Sequence, residues 1–195
     1  MSFESPTWYE LNDELTQSLG VISADALGEL PTDYVNPQVI NTYAPYKLQT
    51  PSKWTGSFAY VFGKSGLLSI DYAIKDYSNT QFKSINDFVG INRNMTNILS
   101  QTNELRIGGE YRIKEWSLRG GYHFEQSPYQ DGKTIGDLNG YSGGFGYNFG
   151  ATRLDLAYSY TQRDSLKQFF SQGLTDSAKI NTVNKNITVT LLFAL

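Results

Sequence analysis

Between Glu104 and Glu125 the chain reads "ELRIGGEYRIKEWSLRGGYHFE", with a charged or polar residue at nearly every second position and an apolar one between. Side chains alternate across a strand with period 2. Two strands joined at Lys114-Glu115 therefore put Glu104, Arg106, Glu110, Arg112, Arg119, His123 and Glu125 on one face, and Leu105, Ile107, Tyr111, Ile113, Trp116, Leu118, Tyr122 and Phe124 on the other. A soluble barrel hides its apolar face inside, whereas a membrane barrel turns it outward to lipid. Alternation alone does not choose between them.

The same pattern recurs from about Trp54 onward. "KWTGSFAYVF" and "LLSIDYAIKDY" alternate around the turn "GKSG"; "GYSGGFGYNF" and "TRLDLAYSYTQ" alternate around "GA"; "NITVTLLFAL" makes a seventh run. The tight connections lie at one end of these runs, and the stretches around 78–102, 126–138 and 164–184 are long loops at the other. Short turns on one edge and long loops on the opposite edge are the arrangement of outer-membrane barrels. The last run keeps Ile187, Val189, Leu191, Phe193 and Leu195 on one face to the final residue, an edge that would invite aggregation in a soluble sheet. On these grounds the apolar face is predicted to meet lipid and the charged face to line a lumen. Trp116 and Phe149 beside the tight turns, and Trp54, Phe124 and Tyr160 near the long loops, fit two aromatic girdles, although aromatics favour any strand.

Composition removes several other classes. A net charge of −3 without a basic block argues against nucleic acid as a partner. The lack of cysteine and the single histidine argue against disulfides, thiolate chemistry and a metal centre, and no cofactor is predicted. No nucleophile elbow or paired-acid motif is present, so an enzyme is not expected. The opening "MSFESPTWYE" has neither a positive region nor an apolar core of a signal peptide, so an exported protein would be represented here by a mature chain or a fragment.

Residues 1–45 form a separate segment in this reading. Ser5 as N-cap, Pro6 in the first turn, and Trp8, Leu11, Leu15 and Leu19 at helical spacing before Gly20 predict a short amphipathic helix. Pro31, Pro37 and Pro45 then mark an irregular extracellular loop, and residues 46–195 carry the strands.

"SPTWYEL", the long loop into "TPSKWTGSFAYVFGKSGLLSIDYAIKDYS", and the closing Gly- and Tyr-rich hairpins together resemble the C-terminal half of FadL-type outer-membrane transport proteins, particularly their Bacteroidetes branch. The resemblance implies an all-β, up-and-down antiparallel transmembrane barrel, of which this chain supplies about seven or eight strands. It also implies passive uptake of long-chain fatty acids or other hydrophobic compounds across the outer membrane of a Gram-negative bacterium. Outer-membrane lipid and, through the C-terminal strand, the barrel assembly machinery are the implied partners. The usual final Phe of such strands is here Leu195.

A two-residue turn at Lys114-Glu115 pairs Ile113 with Trp116, which sets Glu110 against Arg119, Arg106 against His123 and Glu104 against Glu125. Arg106, Glu110, Arg112, Arg119 and His123, with Arg153 and Asp155 of "TRLDLAYSYTQ", are the predicted lumen lining. These charges either neutralise one another within the wall or meet a ligand carboxylate or a plug. Gly108, Gly121, Gly144 and Gly146 on the same face either widen the bore or bend the sheet. Phe82, Ile85, Phe88, Val89, Ile91, Met95, Ile98 and Leu99 form either a rim cap or a hydrophobic capture patch. Two other architectures are compatible with the runs: a complete eight-stranded outer-membrane barrel of OmpW-like or adhesin type, with a further strand from before Trp54, and a soluble lipocalin-like barrel.

Overall fold

The computed structural model describes residues 1–22, 32–35, 38–170, 172–173 and 175–193. Its strands, in chain order, are β1 (Ser2–Glu4), β2 (Trp8–Leu11), β3 (Glu14–Thr16), β4 (Leu19–Ile22), β5 (Thr32–Val35), β6 (Ile40–Thr42), β7 (Tyr46–Gln49), β8 (Lys53–Phe62), β9 (Gly66–Asp76), β10 (Gln81–Lys83), β11 (Gln101–Ile113), β12 (Trp116–Glu125), β13 (Ile135–Asn148), β14 (Thr152–Lys167) and β15 (Ala178–Phe193). One α-helix, α1 (Val89–Ile98), lies between β10 and β11.

All seven alternating runs become long strands of one antiparallel sheet in the order β1-β8-β9-β11-β12-β13-β14-β15. Neighbours in sequence are neighbours in space, because each tight turn folds a run back on the one before it. The register of the central hairpin is the one that its two-residue turn dictates: Ile113 pairs with Trp116, Glu110 with Arg119, Arg106 with His123 and Glu104 with Glu125. Lys114 enters the left-handed region (φ 53°) to make that turn.

The two faces differ in crowding. Ala73, Thr102, Glu104 and Ser117, the strand residues most removed from solvent, all lie on the charged face. Large apolar side chains on the opposite face stand free: Phe58 is 65% exposed, Ile187 78% and Val189 62%. Side chains crowd on the inside of a curved sheet and splay on the outside, so the sheet curves around its charged face. Among the described residues Ala73 is the sole buried hydrophobic residue. Large apolar side chains among the described residues are half-buried, as Ile74, Leu105, Phe124 and Leu156 are, or exposed, and no enclosed apolar core of the kind a soluble domain builds is formed by them.

Two expectations for the periphery are corrected. Residues 8–11 and 14–16 are extended rather than helical: β2 pairs with β7, β3 with β6 and β4 with β5, giving one long hairpin arm. A single amphipathic helix there would have had no surface to bury its stripe against, and short isolated helices are marginal in water; paired strands satisfy the backbone instead. The region around 164–184 is shorter as a loop than its polarity suggested, since β14 runs on to Lys167 and β15 starts at Ala178. The backbone ladder of β14 and β15 is continuous through this extension, where Asp164 pairs with Lys179 at 3.1 Å and accepts a hydrogen bond from Asn181 at 2.5 Å. Pro31, Pro37 and Leu195 lie outside the described residues.

Candidate functional site

The strand register places one transverse row of small side chains across the middle of the charged face. Ala59, Ser69, Gly108, Gly121, Ser142, Ser159 and Asn186 are successive pairing partners from β8 to β15. Charged rows stand on both sides. Glu110 and Arg119 rise one row toward the tight turns, and Asp71, Arg106 and His123 one row toward the long loops. Together they enclose an open furrow of about 600 Å³. Of the four glycines expected on this face, Gly108 and Gly121 line the furrow.

On the turn side five of the predicted residues form one network. Glu110 accepts from Arg112 and, at 2.7 Å, from Nε of Arg119. Arg119 reaches on through Nη1 to Asp155 at 2.7 Å, and Arg153 pairs with Asp155, its Nε 2.9 Å from the carboxylate and its Nη2 donating to Oδ1 at 3.2 Å. Arg119 and Asp155 are not on adjacent strands: β13 lies between them, presenting Gly144 opposite Arg119 and Gly146 opposite Asp155. A Cβ on Gly146 would overlap the Asp155 carboxylate. Bare backbone is thus what lets a carboxylate lie flat across its neighbouring strand.

The loop-side network centres on Glu104, whose side chain is 9% exposed. Lys53 Nζ lies 3.0 Å from it, Arg106 also pairs with it, and His123 Nε2 comes within 3.3 Å without alignment for a hydrogen bond. Arg106 and His123 oppose each other as expected, yet both lean toward Glu104. Lys53 spans β9 over the small Ala73, which pairs with Glu104 on one side and Thr55 on the other. Glu125 turns away from Glu104 to Arg163 Nη2 at 3.3 Å. Lys53 and Arg163 were missed from the sequence. Their strand parity, shared with Ser57 and with Arg153, was the available signal.

At the long-loop end the apolar loop residues divide. Phe82, Phe88 and Tyr46 of the arm form a cluster of edge-on and tilted rings with centroids 5.2–5.6 Å apart, and the Asn92 amide bridges the backbone N–H and C=O of Phe82. Ile85, Val89, Ile91 and Ile98 remain exposed. The Tyr46 hydroxyl donates to Asp13 at 2.6 Å, and that bond to a carboxylate raises its pKa above the usual tyrosine value. In the following loop Asp131 accepts from the Thr134 hydroxyl and from the N–H groups of Lys133 and Thr134, which hold its carboxyl below the ordinary range.

No protein-family model and no curated protein matches this chain. Among solved structures it is similar to a Pseudomonas aeruginosa FadL homologue, with a TM-score of 0.51 and 14% identity over 97% of this chain and 46% of that one. It also aligns with the CymD monoaromatic hydrocarbon channel at 14% identity and a TM-score of 0.44, over 98% of this chain and 48% of that one. The chain spans just under half the length of either. The likeness to the FadL homologue shows that this antiparallel sheet has the fold of an outer-membrane β-barrel wall.

Proposed function

We propose that this chain is a lumen wall of a FadL-type outer-membrane transporter that admits hydrophobic compounds, long-chain fatty acids among them, by passive diffusion. The observation that carries the reading is the inverted sheet: apolar side chains stand uncovered on the outer face, while the charged groups pair with each other on the inner one. A lipocalin-like barrel needs its apolar face enclosed. The sheet has the opposite curvature.

The ion pairs are wall fittings in this reading, keeping charged ends pinned to the sheet. The furrow between the charged rows, with Ser69, Gly108, Gly121, Ser142 and Ser159 along its floor, is the part an apolar molecule can cross. Outer-membrane lipid covers the outer face, and β15 is the strand offered to the assembly machinery. Ser159 sits in the furrow with a side chain short enough to leave it open. Ser159→Trp should abolish uptake of a labelled fatty acid by cells carrying the protein, with membrane insertion unchanged; full uptake in that variant would sink the proposal.

A complete eight-stranded barrel is favoured by one observation, the pairing of β1 with β8. β1 runs antiparallel to β8 and hence to β15, the orientation that closure requires. It has only three residues.

A further inference from the structure

The outward face carries a polar staircase. Moving from the tight turns toward the long loops on each strand from β9 to β15, the first polar outward residue beyond the apolar stretch is Asp76 on β9, Asn103 on β11, Gln126 just past β12, Asn139 on β13, Gln162 on β14 and Lys185 on β15. Tyrosines just inside this line hydrogen-bond to it: Tyr72 to Asn103 at 2.7 Å, Tyr122 to Asn139 at 3.0 Å and Tyr160 to Gln162 at 2.8 Å. Asn103 and Gln126 also bond each other, at 2.9 Å. An apolar ring with its hydroxyl on an amide suits the boundary between acyl chains and headgroups.

The line does not follow the rows of paired residues. The row through Lys185 passes Tyr160, Tyr141 and Tyr122 to Ile107 on β11 and Ile70 on β9. Ile70 is six residues short of Asp76, an offset gathered over five strand-to-strand steps. At about 3.3 Å per residue and about 4.8 Å between strands, the boundary crosses the rows with a strand tilt of about 40°. Membrane barrels tilt their strands by about 35–45°.

Building on the membrane reading above, we infer that lipid headgroups meet the sheet along this diagonal. The exit row therefore shifts in steps from β15 to β9, β13 and β14 sharing one row and β11 and β12 another, and β14 and β15 continue beyond Gln162 and Lys185 as a sheet standing in water. Asp164, Lys179 and Asn181 supply the polar outward surface such an extension needs.

The chain has no cysteine, so one introduced thiol reports one position. Ile107→Cys and Lys185→Cys share a row, as do Leu105→Cys and Val183→Cys. Each variant would carry a fluorophore and be reconstituted into phosphatidylcholine vesicles with nitroxides on either the headgroup or the acyl chain. The β11 member of each pair should lie deeper, by about 10 Å for a four-residue offset on a tilted strand. Acyl-chain quenching at Ile107 and Leu105 with equal depth at their β15 partners would overturn the diagonal and leave the membrane reading standing. Absence of lipid quenching at all four positions would overturn both.

Discussion

Arg119 of β12 and Asp155 of β14 meet at 2.7 Å across a strand to which neither belongs, above two glycines of that strand. The Asp155 carboxylate fills the space that a Cβ on Gly146 would take, whereas a Cβ on Gly144 would meet the β14 backbone at Leu156. The Gly146 slot yields the first prediction. Gly146→Ala should push the Asp155 carboxylate off Arg119 and cost about 1 kcal/mol, the scale of a partly exposed ion pair. Gly120→Ala, where an added Cβ meets nothing within 4 Å, should be close to neutral. Unfolding midpoints of the two variants decide it; equal losses would mean the slot has no role.

Glu110 holds Arg112 and Arg119 together, so Glu110→Gln leaves Arg112 without a carboxylate while Arg119 keeps Asp155. A double-mutant cycle between Glu110→Gln and Arg119→Gln should show a coupling of about 0.5 kcal/mol. Uptake should change little in either single variant if the network serves the wall alone. Strictly additive losses would count against the pairing.

Lys114 holds a left-handed backbone at φ 53° without being glycine. Lys114→Gly removes the side-chain clash and should leave the protein as stable or more stable, by up to about 1 kcal/mol. Thermal unfolding of the variant tests this, and a clear loss would show that the lysine side chain has a contact of its own.

The carboxyl of Asp131 is held below its ordinary range chiefly by the Thr134 hydroxyl, then by two backbone N–H groups. A depressed native pKa stabilises the ionised form, so its contribution is present above the unfolded carboxylate value and disappears as pH falls through the native one. Protection of the Lys133 and Thr134 amides, measured as exchange relative to the intrinsic rate at each pH, should fall in that acid window. In Asp131→Asn the exchange should be faster at neutral pH and lose this pH dependence. Identical profiles for both proteins would refute the linkage.

The central hairpin was legible because a two-residue turn leaves one register, and every opposed pair follows from it. Ion pairs two strands apart were not, since sequence pairing names the nearest neighbour alone and says nothing of reach over a glycine. The upper halves of β14 and β15 hid for a different reason. "QRDSLK" is polar on both faces apart from Leu166, as a strand with water on both sides can be, and so it imitates a loop. Helical spacing at Trp8, Leu11 and Leu15 misled because four apolar residues set a stripe without supplying a surface to bury it.

With Ala73 as the sole buried hydrophobic residue among those described, this protein keeps its oil on the outside. Whatever liquid touches Phe58, Leu118 and Ile187 takes the place that neighbouring side chains occupy in a water-soluble domain. Swapping one detergent for another, or shortening the lipid tails by two carbons, then resembles a core mutation made at every strand at once. Melting temperatures for this chain are properties of a protein and its solvent jointly, and variants should be ranked only within a single amphiphile.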